Sequence, residues 1–147
     1  MPTRNRPETL RAALQTCTAQ DYEDFEIIVA DNCGDPETRT VVEELRTQRT
    51  KYVRSDVPLA MSMNWEFAIS HASGEFIIVV GDDDGLPFYS LRVANELLTE
   101  LQVEVLETRS AYYAWPGLNH PYFPDNSLQL PHQIQSRIKE ARPLLIE

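Results

Sequence analysis

The sequence predicts an α/β domain built on a mainly parallel sheet. Three features carry this reading. Apolar runs of strand length alternate with segments of helical periodicity, the run Phe76-Ile77-Ile78-Val79-Val80 is apolar at consecutive positions, and two of the runs end in acidic turn-forming loops. Alternating strands and helices call for a layered domain with helices against the sheet. A strand apolar at every position needs cover on both faces, which places Phe76 to Val80 centrally. Ligands of such sheets bind beyond the carboxyl ends of the strands. Asp31 and the triplet Asp82-Asp83-Asp84 fall at two of those ends, so one crevice can gather them although they are far apart in sequence.

The elements follow in order. Leu10, Ala13, Leu14 and Cys17 recur at helical spacing behind Pro7, a residue suited to a first helical turn, and predict a helix over 7–20. Phe25 to Ala30 reads as a strand, ended by the turn formers Asp31-Asn32-Cys33-Gly34-Asp35. A second helix over 36–48 turns Val41, Val42 and Leu45 inward, and a brief strand follows at 51–54. Met61 to His71 predicts a third helix, with Met61, Trp65, Ala68 and Ala72 along one face and Gly74 as its stop. After the Phe76–Val80 strand and its loop Gly81 to Gly85, Leu91, Ala94, Leu97, Leu98 and Leu101 predict a helix over 88–101. Val103 to Trp115 is expected to be extended. The Pro- and Asn-rich stretch beyond it reads as loop, with a short helix at about 132–141.

The bulk properties bound the function. At 147 residues, 42% hydrophobic and 24% charged, the chain is one globular domain's worth. A net charge of -10 argues against a nucleic-acid partner, whose phosphates Lys and Arg would have to neutralise. Acidic balance by itself is a solubility feature; localised acids suit a cation. No apolar run approaches the roughly 20 residues that span a bilayer. The opening Met1-Pro2-Thr3-Arg4-Asn5-Arg6 lacks the apolar core of a signal peptide, so the expected address is cytoplasmic. Cys17 and Cys33 lack metal-ligand spacing and read as free thiols.

Three adjacent aspartates repel one another, and each raises its neighbours' pKa unless something relieves the crowding. A divalent cation would do so, since carboxylates are hard ligands for magnesium or manganese, and magnesium commonly bridges to substrate phosphates. The alternative is a solvated turn in which Asp84 caps the helix that follows. A nicotinamide-binding domain is disfavoured because no Gly-x-Gly-x-x-Gly follows a strand.

Several segments, in order, resemble glycosyltransferase family 2. Thr3-Arg4-Asn5-Arg6-Pro7 looks like its Thr-x-Asn-Arg turn, Gln20-Asp21-Tyr22 its Gln-x-Tyr, and Phe25 to Asp31 its Phe-Glu-Ile-Ile-Val-x-Asp strand. Asn64 through Gly74-Glu75-Phe76 is similar to its Asn-containing helix and Ala-x-Gly-Glu-aromatic segment, and Gly81 to Asp84 occupies the place of its Asp-x-Asp metal motif. The resemblance spans residues 3 to about 88. It implies a three-layer GT-A fold, a Rossmann-like nucleotide-diphospho-sugar transferase architecture, here incomplete. Residues 1–115 would be the nucleotide-sugar-binding part and 116–147 the loop-rich start of an acceptor-side region.

The resemblance further implies that Thr3 lies near the nucleotide base and that Asp31 accepts a hydrogen bond from it; a helix or turn cap is the plainer role for Asp31. The metal motif fits in two registers, Asp82 with Asp84 or Gly81 with Asp83. Asp83 or Asp84 would then bind manganese or magnesium, and Asp82 would face the ribose or a metal-bound water. Asn64 would help close the base and ribose side, unless it merely faces solvent. The implied reaction moves a sugar, with inversion, from a nucleoside-diphosphate sugar, UDP-sugar by preference, to a saccharide or other hydroxyl acceptor. The acids Glu107, Asp125 and Glu140 and the histidines His71, His120 and His132 sit in no motif that assigns a base. Tyr112, Tyr113, Trp115, Tyr122 and Phe123 could line an acceptor cleft or simply pack. The family's apolar first strand has no counterpart before Met1-Pro2, so the sheet is expected to lack it and to expose unpaired edges. That absence leaves a second reading, a non-catalytic remnant acting as a binding or interaction module.

Overall fold

The computed structural model describes residues 1–108, 110–114 and 127–129. The chain divides into two units, Met1–Leu97 and Leu98–Glu147.

In the first unit three parallel strands pair in the order β1-β2-β3: β1 is Pro2–Thr3, β2 Ile27–Asp31 and β3 Thr50–Arg54. Every residue of β2 is buried, as a strand covered on both faces requires. Helix α1, Pro7–Thr18, buries Leu10, Ala13, Leu14 and Cys17, the i, i+3, i+4, i+7 stripe of a core-facing helix. Helix α2, Pro36–Leu45, buries Thr38, Val41 and Val42 and packs on α1. Leu10, Leu14, Val41 and Val42 cluster with Ile27 and Val29, so one face of β2 meets these helices. By the period of two, Ile28 and Ala30 turn to the opposite face, where α3, Met61–Ile69, packs on β2. Full burial of Leu10, Leu14, Val29 and Val42 contributes roughly 1.5–3 kcal/mol apiece, which makes this cluster the main anchor of the layers. A fourth helix, α4, covers Ser90–Leu101.

Two expectations need correction here. Phe76 to Val80 joins no sheet among the described residues, and Phe76, Ile77, Ile78 and Val79 are 45–50% exposed. The reason lies at β1. This strand has two residues, one of them a proline without an N–H, so a strand laid beyond it would find almost no ladder to bond. Val80 alone of the run reaches the core. The second correction concerns α3, which buries Asn64 and Ala68 while Met61 and Trp65 stay exposed. Its residues Met61, Met63, Trp65, Phe67 and Ile69 are apolar on all sides, so periodicity could not select the inner face. Small Ala68 and the hydrogen bond from Asn64 Nδ2 to the Ala30 carbonyl (3.3 Å) select it instead.

The first-strand position is also not bare. Pro2 and Thr3 pair with Ala30 and Asp31, Ala30 N donates to the Met1 carbonyl (2.9 Å), and the Met1 amino group donates to the Ile28 carbonyl (2.8 Å). This short strand is what delivers Thr3 to the rim of the sheet.

The connection after α3 is tied to the start of β2 by Glu26, whose Oε1 accepts from Ser73 N (2.5 Å) and Ser73 Oγ (2.7 Å). The Ser73 backbone N–H first, and its hydroxyl second, hold the Glu26 carboxyl below its ordinary pKa. A depressed carboxylate adds stability that is present above its unfolded value, about 4.3, and is lost as pH falls through the lower folded value. Wild type is therefore expected to lose more thermal stability than Glu26→Gln below about pH 4.3, with the curves converging in strong acid, as melting temperature against pH would show.

In the second unit β4, Tyr112–Ala114, pairs antiparallel with β5, Ser127–Gln129, with Tyr113 opposite Leu128. The strand at 127–129 was not expected from the Pro- and Asn-rich sequence. The expected helix at 132–141 lies outside the described residues, as do Trp115, Tyr122, Phe123, His120, His132, Asp125 and Glu140.

Candidate functional site

Three loops meet at the carboxyl end of the parallel sheet: Thr3–Arg6 after β1, Asp31–Asp35 after β2, and Gly81–Asp84. Register starts the assembly, since Thr3 lies directly opposite Asp31. Asn5, with φ of 54°, then sends its side chain across, and Oδ1 accepts from Asp35 N (2.7 Å). Asparagine tolerates this left-handed backbone because its short polar side chain bonds locally. A cavity of about 370 Å³ opens beside that link, lined by Asn5, Pro7, Asp35, Pro36, Glu37 and Thr38.

Asp31 is fully buried and well partnered. Its Oδ1 accepts from Gly34 N (2.9 Å), its Oδ2 from Tyr52 Oη (2.6 Å), and Arg54 Nε lies 3.6 Å from Oδ2. A Cβ at Gly34 would stand 2.5 Å from Asp31 Oδ1, so only glycine closes this turn. Burial, and then the bond to Asp31, push the Tyr52 phenol well above its ordinary pKa, so it is a proton donor at neutral pH.

Thr3 and the acidic loop connect the other side of the rim. Thr3 Oγ1 donates to Asp82 Oδ2 (2.7 Å), a buried bond between residues far apart in sequence. Arg6 donates through Nη1 to Asp82 Oδ1 (2.8 Å) and through Nη2 to Asp83 Oδ2 (2.8 Å). The bond to Asp83 leads the contacts that raise the Arg6 pKa, so the guanidinium stays charged. Asp84 behaves differently. Its Oδ2 accepts from Gly81 N (3.2 Å) and its own N–H returns to the Gly81 carbonyl (3.2 Å), a closed turn. Asp82 and Asp83 thus converge on one cation, and Asp84 folds back on the loop.

Asn64 is buried, which removes the solvent-facing reading; it reaches Ala30, one residue before Asp31, and its Oδ1 has no partner among the described residues. Among the described residues no hydrogen bond joins it to the acidic loop. Among the described residues no group of three or more His, Cys, Asp or Glu is placed to hold a metal ion. Two carboxylates sharing a cation are nevertheless a suitable donor set, because magnesium is usually held by one or two carboxylates together with substrate phosphates.

The sequence reading missed Gln20 as a site-shaping residue, although it lies in a quoted motif. Gln20 Nε2 donates to the carbonyls of Thr16 (3.0 Å) and Pro87 (2.9 Å), and its Oε1 accepts from Leu91 N (3.1 Å). Together with Thr16 Oγ1, which accepts from Leu86 N (3.1 Å), it ties the chain leaving the acidic loop to α1. Gln20→Ala leaves two carbonyls and an N–H in a part-buried place short of partners and is expected to cost about 1–2 kcal/mol. A urea unfolding curve checks this by its midpoint.

The chain belongs to glycosyl transferase family 2, whose family model matches residues 1–141. Among curated proteins it is similar to the GalNAc(5)-diNAcBac-PP-undecaprenol beta-1,3-glucosyltransferase of Campylobacter jejuni, 35% identical over 58% of this chain and 29% of that protein. It is also similar to the UDP-Glc:alpha-D-GlcNAc-diphosphoundecaprenol beta-1,3-glucosyltransferase WfgD of Escherichia coli, 27% identical over 72% of this chain and 39% of that protein. The chain thus spans about a third of the length of these relatives. Among solved structures, residues 1-349 of TarS from S. aureus superpose with a TM-score of 0.66 at 23% identity, over 84% of this chain and 36% of that one. The mannosyltransferase PcManGT of Pyrobaculum calidifontis, solved in complex with GDP-Man and Mn2+, gives 0.60 at 21% identity, over 78% of this chain and 34% of that one. These likenesses establish the GT-A fold. No helix among the described residues is long and apolar enough to cross a membrane.

Proposed function

We propose that this chain forms the donor-binding part of an inverting, metal-dependent glycosyltransferase, which transfers a sugar from a nucleoside diphosphate to a hydroxyl acceptor. The observation that carries the proposal is the convergence of Asp82 and Asp83 on a single cation, next to Thr3 at the ligand-binding rim of the sheet. A UDP-sugar is the preferred donor, in keeping with the name of WfgD; GDP-mannose with Mn2+, bound by PcManGT, is the comparison to test against it.

Asp83 is the residue assigned to hold magnesium or manganese, because its carboxylate is the accessible one of the converging pair and Asp84 is engaged in its turn. Once bound, the ion would offset the charge that builds on the departing diphosphate. Asp82, fixed by Thr3 and Arg6, sets the position of Asp83 and presents its edge toward the ribose or a metal-bound water. Thr3 fixes the rim on which the base lies, and the neighbouring cavity of about 370 Å³ has room for it. Asp31 is assigned to the base through the lone pairs left beyond those used by Gly34 and Tyr52. Asn64 supports the same side from beneath, through Ala30. None of the described residues is assigned the proton transfer from the acceptor.

A binding module without turnover is the second reading, favoured by the half-exposed apolar run Phe76 to Val79 outside the sheet. Melting curves with UDP and GDP, with and without manganese, test donor binding directly. Saturation at about 100 times Kd stabilises by about 2.7 kcal/mol, a rise of several degrees. A rise that requires manganese supports the proposal, and no rise with any nucleoside diphosphate overturns it. Sugar transfer from the bound donor would separate the enzyme from the binding module.

A further inference from the structure

Both terminal nitrogens of Arg6 are engaged by the acidic loop, one on Asp82 and one on Asp83, each at 2.8 Å. A guanidinium more often grips one carboxylate with two parallel bonds; here it is divided between two, in the manner of a bridging cation. The two arms are unequal. The Asp82 side chain is 8% exposed and its second oxygen is bound by Thr3, whereas the Asp83 side chain is 52% exposed and Arg6 is its one hydrogen-bond partner among the described residues. The outer bond leads the contacts that keep Arg6 charged, but it lies in solvent, where water and ions screen and exchange it. The inner one is sheltered and braced by Thr3, and shelter decides which arm holds.

We propose that Arg6 is a displaceable counter-cation of the donor site: it draws Asp82 and Asp83 together while no metal ion is bound, yields Asp83 to an entering divalent ion, and turns the freed nitrogen to the diphosphate. This rests on the metal-dependent reading given above. The asymmetry of the arms fixes the order of release, with Asp83 leaving and Asp82 retaining its bond. Arg6 is on this account a positioning residue in the apo site and a phosphate-binding residue in the loaded one. Removing it has opposite consequences for the two ligands. The metal loses a competitor, while the nucleotide loses a charge-assisted donor.

Calorimetric titration of manganese alone, and of UDP at saturating manganese, into wild type, Arg6→Ala and Arg6→Lys tests this. Arg6→Ala is expected to bind manganese about 3- to 10-fold more tightly than wild type and UDP about 5-fold or more weakly. Lysine, a point charge that cannot bridge both acids, should fall between them for the metal. Circular dichroism reports folding of each variant, and if Arg6→Ala is unfolded the lysine variant decides. Manganese affinity unchanged or lowered in a folded variant overturns the inference while leaving metal-dependent donor binding intact. Wild type that binds UDP but no manganese overturns both.

Discussion

Replacing Asp83 by alanine is expected to abolish manganese-dependent binding of UDP, with an affinity loss on the order of 100-fold or more, while the melting temperature without ligand changes little. The magnitude follows from removing a direct ligand, since lesser changes in the surroundings of a metal already cost 10- to 100-fold. The stability estimate follows from exposure, because Asp83 makes its contact to Arg6 in solvent, where ion pairs contribute about 0–1 kcal/mol. Asp84→Ala should behave in the opposite manner. Its carboxylate closes the Gly81 turn, so its loss is expected to cost about 1 kcal/mol of stability and only a few-fold in affinity. Calorimetry on the two variants also decides between the two registers of the metal motif. A larger loss in Asp84→Ala would assign the motif to Asp82 and Asp84.

The largest effect on stability is expected at Asp31. Its removal strands the buried Gly34 N–H and the part-buried Tyr52 hydroxyl and leaves the half-exposed Arg54 without its acid. Leaving a donor without its acceptor costs about 1–3 kcal/mol for each group, so the two together take a large share of the roughly 5–15 kcal/mol typical of a domain. Asp31→Ala should therefore lower the melting temperature by more than about 10 °C. Asp31→Asn, which keeps one acceptor oxygen, should lose less. A loss in the alanine variant below about 1 kcal/mol, measured by denaturant unfolding, would mean that the network is not structural and that Asp31 is held for its ligand alone.

Much of this site could be read from residues before any coordinates. Asp31 and the aspartate triplet were brought to one rim by the alternation of apolar runs and turn formers, although the run before the triplet pairs with no strand, and Thr3 was placed there only by resemblance to the family's turn; β2, β3, α1 and α2 lie within a few residues of their expected places. What remained illegible depends on partners that pattern does not encode. Phe76 to Val80 carries the signature of a buried strand, but pairing needs a neighbour, and the neighbour is two residues long. The inner face of α3 was hidden because apolar residues surround it, and a single polar contact from Asn64 selected it. Tyr52 and Arg54 read simply as strand residues, since nothing in their spacing shows that register brings them to Asp31. Arg6 stood in a recognised turn, yet its division between two carboxylates is a matter of geometry.

Anomalous diffraction from manganese in crystals grown with UDP would locate the metal itself. The account predicts one strong site about 2.1 Å from a carboxylate oxygen of Asp83, bridged to the diphosphate, with Arg6 no longer bonded to Asp83. Manganese bound with UDP at a place remote from the Asp82–Asp83 pair would contradict it.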